Sequence, residues 1–241
     1  MNFLPTIIAG LIAAVVTTTG IFIINRYAKW GTKNVVYFMS FAAGVLISVS
    51  FMHIVPKSLE MSRYAPIFLL VGFLLLHLFN RFLKILICVE KETKNYPFGV
   101  VSALGIGFHS FVDGVIYSVA FSVSIFTGVL ATFGMILHEF PEGIVTFLFL
   151  VKSGFKRRES SIYAFMAAAL TTPLGVLVSW PFISQLSNAI LGCLLSLSAG
   201  ALIYVGATHL LPKVEKENER YSLLALAAGI TVAIVIILSG A

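Results

Sequence analysis

Two short polar blocks decide how this chain is read: His109-Ser110-Phe111-Val112-Asp113-Gly114 and His138-Glu139-Phe140-Pro141-Glu142-Gly143. They are one pattern used twice, His-x-Phe-x-acid-Gly, at an offset of 29 residues. Each block puts a histidine and a carboxylate at i and i+4, on one face of a helix. Together they hold two imidazoles and three carboxylates, with no Lys or Arg between Lys94 and Lys152. The sequence around them is apolar. A cluster of acids and imidazoles inside apolar helices, without a basic partner, reads as a cation site within a membrane.

Composition places the rest of the chain. Of 241 residues, 59% are hydrophobic and 11% charged, against about 25% charged in soluble domains. The mean hydropathy is +1.01. These values exclude an ordinary soluble enzyme or nucleic-acid-binding domain. The net charge of +6 comes from basic residues between apolar segments, the positive-inside pattern. Cys88 and Cys193 are far apart and form no thiolate metal motif or disulfide framework. Met1 to Pro5 lacks a basic region and a cleavage site, so it reads as the start of the first span.

A span needs about 20 apolar residues. Eight candidates meet that length: 4–24, 34–55, 66–88, 98–122, 127–151, 160–180, 189–211 and 221–240. They predict an all-α polytopic membrane protein, with residues 1–241 forming one transmembrane domain. Fourteen of the 16 basic residues fall on one side of these spans, and only Lys57 and Arg63 on the other. That asymmetry predicts both termini on the non-cytoplasmic side.

A second repeat flanks the central pair. Ala43-Gly44-Val45-Leu46-Ile47 with His53-Ile54-Val55-Pro56 returns as Ala199-Gly200-Ala201-Leu202-Ile203 with His209-Leu210-Leu211-Pro212, at an offset of 156. Ala13, Ala14, Thr17 and Gly20 match Ala168, Ala169, Thr172 and Gly175 more weakly. Spans 1–3 and 6–8 therefore read as one unit used twice. The charge rule runs the two units in opposite directions, around an antiparallel pair of spans 4 and 5. This 3+2+3 arrangement of inverted repeats is a recurring plan of alternating-access carriers.

His109 and His138 both fall near mid-span. A carboxylate there costs about 2.5–3.5 kcal/mol on insertion scales, so Asp113, Glu139 and Glu142 must be protonated, solvated or bound to a cation. Imidazole with carboxylate favours a first-row transition metal over sodium or magnesium. Pro141 removes a backbone donor and frees the Leu137 carbonyl. Gly114 and Gly143 permit close approach of a neighbouring helix or ligand. Ser110 and Glu139, about 100° round their helices from the histidines, are candidates for a second ion position that shares Asp113 and Glu142. His53 and His209 stand near opposite membrane faces. Each reads equally as a helix-end residue or as a contact on the ion's way in or out. His77 reads as structural.

The two blocks resemble the fourth- and fifth-helix signatures of the ZIP (Zrt/Irt-like protein) metal transporter family, and the repeated His-x-x-Pro resembles that family too. The likeness implies a metal centre between helices 4 and 5. It implies import into the cytoplasm of zinc first, with iron, manganese or cadmium as other cargo, by a homodimer in the plasma (inner) membrane. It implies a first position of His109, Asp113, His138 and Glu142, and a second of Ser110, Asp113, Glu139 and Glu142. The metal is cargo, and no prosthetic group or nucleic acid is expected. Ser110 stands where many members carry Asn, and the family's long His-rich loop after helix 3 is missing.

Two other classes compete. A proton- or sodium-coupled carrier of another solute would also need midplane charges. An intramembrane metalloprotease would use His-Glu-x-x-His, of which His138-Glu139 is half. Position 142 is Glu, however, and Pro141 disturbs the helix that motif needs.

Overall fold

The computed structural model describes residues 2–87, 96–212 and 221–239. Residues 88–95 and 213–220, which include Cys88, Lys91, Lys94, Lys213, Lys216 and Arg220, lie outside them. Helices account for nearly all the described residues, and no strand occurs among them.

The chain begins with α1, Phe3–Arg26. α2 runs through Ala28–Val49, a π-helical turn at Ser50–Ile54, and Val55–Met61. α3 is Ala65–Ile87. α4 is Tyr96–Val123 and α5 is Ile125–Lys152. α6 joins Arg157–Ala164, a π turn at Phe165–Ala169, and Thr171–Ile183. α7 joins Asn188–Tyr204 to a π turn at Val205–Leu210. α8 is Ser222–Ser239. Seven of these helices are long and apolar enough to cross a membrane, and α3 contributes a shorter apolar stretch, Ala65–Phe79.

The three π turns have one cause. A proline ring crowds the carbonyl four residues earlier and cannot donate to it. For Pro56, Pro173 and Pro212 that carbonyl belongs to Met52, Ala169 and Thr208, each within a π segment. The wider turn absorbs the clash and the helix continues. α2 therefore extends to Met61, six residues past the expected end of span 2, and His53 lies inside the helix rather than at its end. Pro141 is accommodated within a continuous α-helix instead.

The burial pattern is that of a membrane protein. Leu4, Ile8, Leu11 and Val15 make an exposed stripe along α1, while Thr6 and Thr17 on its other face are fully buried. Lipid solvates the apolar stripe at no cost, whereas hydroxyls must find partners inside. Thr17 Oγ1 lies 2.9 Å from the Ala13 carbonyl, and Ser179 donates to Ser118 at 2.8 Å.

Reciprocal glycine contacts set which helices cross. The bare Cα of Gly20 faces the Phe140 carbonyl, and Gly143 faces the Thr17 carbonyl, so α1 lies on α5. Gly114 faces the Thr172 carbonyl and Gly175 the Phe111 carbonyl, so α4 lies on α6. Gly44 with Gly229 seats α2 on α8, and Gly72 with Gly200 seats α3 on α7. A Cβ at any of these positions would overlap backbone. Small residues admit such close crossings, where dispersion and polar contacts replace a hydrophobic driving force.

Two ties define the ends of the bundle. Asn2 Nδ2 donates to the Phe121 carbonyl at 2.9 Å, joining the start of α1 to the end of α4. Arg157 donates to the Asn25 side-chain and backbone oxygens, joining the end of α1 to the start of α6. The link between α4 and α5 is Ser124 alone. Its hydroxyl accepts from the Thr127 N–H at 3.0 Å and caps α5.

Candidate metal centre

α4 and α5 are both 28 residues long, and His109 and His138 each occupy the fourteenth position. Antiparallel packing therefore brings them to one level, about 20 Å from either helix end at 1.5 Å per residue. The fourfold spacing turns Asp113 towards His109 and Glu142 towards His138.

One atom from each of His109, Asp113, His138 and Glu142 lies within 4.8 Å of all the others. His138 Nε2 is 3.0 Å from Asp113 Oδ2 and 3.7 Å from Glu142 Oε2. His109 Nε2 is 3.6 Å from Asp113 Oδ2 and 3.8 Å from Glu142 Oε2. Four ligands held about 2.0–2.1 Å from a tetrahedral zinc stand about 3.4 Å apart. The observed separations bracket that value, so a small contraction brings all four atoms to one ion. The donor set, two imidazoles and two carboxylates, suits a first-row transition metal.

The cluster is open on one side. His109 is 22% exposed and Glu142 10%, while Asp113 and His138 are 1% and 3%. α4 starts, and α5 ends, at the basic loops. His109 and Glu142 are therefore the members displaced towards that face, and Asp113 and His138 those displaced away from it. His138 Nδ1 is buried with no hydrogen-bond partner, so no acceptor behind the ring fixes its tautomer. Metal-bound histidines usually have one.

Ser110 and Glu139 are fully buried but separate from each other in role. Ser110 Oγ is 2.7 Å from Glu142 Oε1 and 3.1 Å from the Ile106 carbonyl. Glu139 is not part of the four-residue cluster. Its carboxylate accepts from Thr17 Oγ1 of α1 at 2.5 Å and from Thr172 Oγ1 of α6 at 3.3 Å. The rotation of about 100° between His138 and Glu139 is the reason, because it turns Glu139 away from α4. The two threonines are the matched pair of the flanking repeat. Thr17→Val with Thr172→Val leaves a buried carboxylate without these donors. With about 1–3 kcal/mol for an unsatisfied buried group, the double variant should melt several degrees lower, and each single variant less, by differential scanning fluorimetry.

His53 of α2 is half-buried, with Nε2 3.1 Å from Thr127 Oγ1 and its ring edge-on to Phe126. It stands at the opposite end of α5 from the basic loops. The His209 side chain lies outside the described ones. His77 is exposed and meets Tyr204 edge-on at 5.9 Å.

Fold and site together define a polytopic, all-helical membrane protein with a histidine–carboxylate group in its central helix pair. The family model described as ZIP zinc transporter matches residues 88–237, and the chain belongs to that family. Zinc transporter ZIP13 homolog of Drosophila melanogaster is 30% identical over 153 residues, 58% of this chain and 42% of that protein. Zinc transporter ZIP10 of Homo sapiens is 26% identical over 134 residues, 54% of this chain and 16% of that protein. Zinc transporter ZIP13 of Pongo abelii is 24% identical over 232 residues, 86% of this chain and 67% of that protein. The chain thus spans less than half the length of the first two relatives. A family of transporters is not one of enzymes, and the metalloprotease alternative is set aside.

Proposed function

We propose that this chain carries divalent transition-metal ions, zinc first, across a membrane and into the cytoplasm through the cluster between α4 and α5. The observation that carries this reading is the convergence of four ligand atoms within 4.8 Å at the middle of two 28-residue helices. Relatives named as zinc transporters support zinc over another solute. Iron, manganese and cadmium remain within the chemistry of the donor set. The test is uptake of radiolabelled zinc, iron, manganese and cadmium into proteoliposomes, with mutual competition. A flux driven by protons or sodium alone, indifferent to all four metals, overturns the reading and favours a coupled carrier of another solute.

The 14-to-2 basic asymmetry supports termini on the non-cytoplasmic side of the plasma (inner) membrane. With that orientation the more exposed His109 and Glu142 lie towards the cytoplasm, and the arrangement is an inward-facing state. The matched glycine crossings support inverted units, since α1 on α5 corresponds to α6 on α4, and α2 on α8 to α7 on α3. α1, α4, α5 and α6 line the path, and rocking of the inverted units about the site exchanges access to it. His53 sits on the side from which ions arrive. The second position, Ser110 and Glu139 with Asp113 and Glu142, forms only when the Glu139 carboxylate leaves Thr17 and Thr172. The whole chain acts as one domain and assembles as a homodimer.

Topology has a direct check. Glu60 is exposed beyond the π turn of α2, and Lys156 is exposed between α5 and α6. With the native cysteines replaced by serine, Glu60→Cys should react with an impermeant thiol reagent from outside the cell. Lys156→Cys should react only after the cytoplasmic side is opened. Labelling of both from one side contradicts the orientation.

A further inference from the structure

Tyr117 is fully buried, and its hydroxyl has no hydrogen-bond partner. It stands on α4 one turn after Asp113. Residues four apart share one face of a helix, so Tyr117 stands on the Asp113 face of α4. Its ring belongs to the apolar core that also contains Ala13, Met135 and Val176, from α1, α5 and α6. A phenol in this core without a polar function would be better replaced by phenylalanine, because a buried hydroxyl is stable only when paired. A buried polar atom without a protein partner calls for an explanation, and a polar contact made during function is one.

We propose that the Tyr117 hydroxyl is a further contact of the transported ion, bonding a water that the ion keeps between the four-residue cluster and Glu139. This rests on the reading of that cluster as the transport site. The hydroxyl can accept from the ion's water or donate to it. Its position beyond Asp113, on the buried side of the cluster, puts it opposite the rim formed by His109 and Glu142. Tyr117 is then a selectivity residue. Ions that favour oxygen ligands and retain water, such as manganese, gain from it more than zinc, which imidazole and carboxylate satisfy at four-coordination.

Isothermal titration of the purified full chain with zinc and with manganese tests this, using wild type, Tyr117→Phe and His138→Ala, alongside melting temperatures with and without metal. Tyr117→Phe removes the oxygen and keeps the ring. Without metal it should melt at or above wild type, since it removes an unpaired buried hydroxyl. Its manganese affinity should fall roughly five- to tenfold, the scale of one hydrogen bond, and its zinc affinity by less. Unchanged affinity for both metals in Tyr117→Phe, while His138→Ala loses binding, overturns the proposal and leaves the cluster intact as the site. A lower metal-free melting temperature in Tyr117→Phe also overturns it, because the hydroxyl then serves the fold. Wild-type binding by His138→Ala overturns the reading of the cluster itself.

Discussion

His138→Ala should weaken zinc binding more than any other single change in α5, by well over tenfold. Loss of a hydrogen-bond partner behind a metal ligand commonly costs 10–100-fold in metal affinity, and the proposed reading makes His138 a direct ligand. It is buried, and its Nε2 lies 3.0 Å from Asp113 and 3.7 Å from Glu142. Removing it leaves two carboxylates and the half-open His109 to hold a cation. Imidazole binds metal only when neutral, so protons compete with the ion and affinity should rise with pH. The steepness of that rise counts protons released on binding, and it should be shallower in His138→Ala than in wild type. Zinc titrations at two pH values measure both effects. Glu139→Ala, by contrast, should keep the four-residue cluster and retain partial uptake with altered metal preference. A dead Glu139→Ala beside a normal His138→Ala would exchange the two residues' roles.

The residues that converge were legible because the information is local. His109 with Asp113, and His138 with Glu142, are one turn apart on their own helices, and equal depth in two antiparallel helices does the rest. The helices were legible too, since an apolar run of 20 residues has few alternatives in a bilayer. Their ends were less so. The apolar run predicts an end of span 2 at residue 55, within the His53–Pro56 motif, yet a π turn takes up the proline and the helix continues to Met61. What a polar residue does at a distance was not legible at all. Glu139 sits beside His138 in the chain, but its partners, Thr17 and Thr172, are 122 and 33 residues away. Tyr117 draws no reading from sequence, because nothing in its neighbours shows that its hydroxyl lacks a partner. The tyrosine's spacing of four from Asp113 was the available signal.

Gly143→Ala should disable transport without touching any ligand. Gly143 follows Glu142 directly and lies against the Thr17 carbonyl of α1, where an added methyl overlaps backbone oxygen. Backbone gives way only by moving a helix. Overpacking of this kind costs about 1–3 kcal/mol, and the helix that moves carries the site. Ligand constellations need placement within about 0.5 Å, while a methyl demands a larger shift of α5 from α1. Glu142 would then draw away from Asp113, and Thr17 from Glu139. Gly114→Ala should act in the same way from the other side, against Thr172 of α6. Gly134 supplies the control on the same helix. Its added methyl would meet Leu46 and Val45 at 3.4 Å and beyond, ordinary van der Waals contact. Gly134→Ala should therefore bind and transport zinc nearly as wild type does. Gly143→Ala should lose most uptake in proteoliposomes and melt several degrees lower. If Gly134→Ala and Gly143→Ala fail alike, general helix stiffening is responsible and the close crossing of α1 and α5 is not what positions the site. If both work, α1 and α5 part without disturbing the ligands, and the cluster holds its geometry independently of α1.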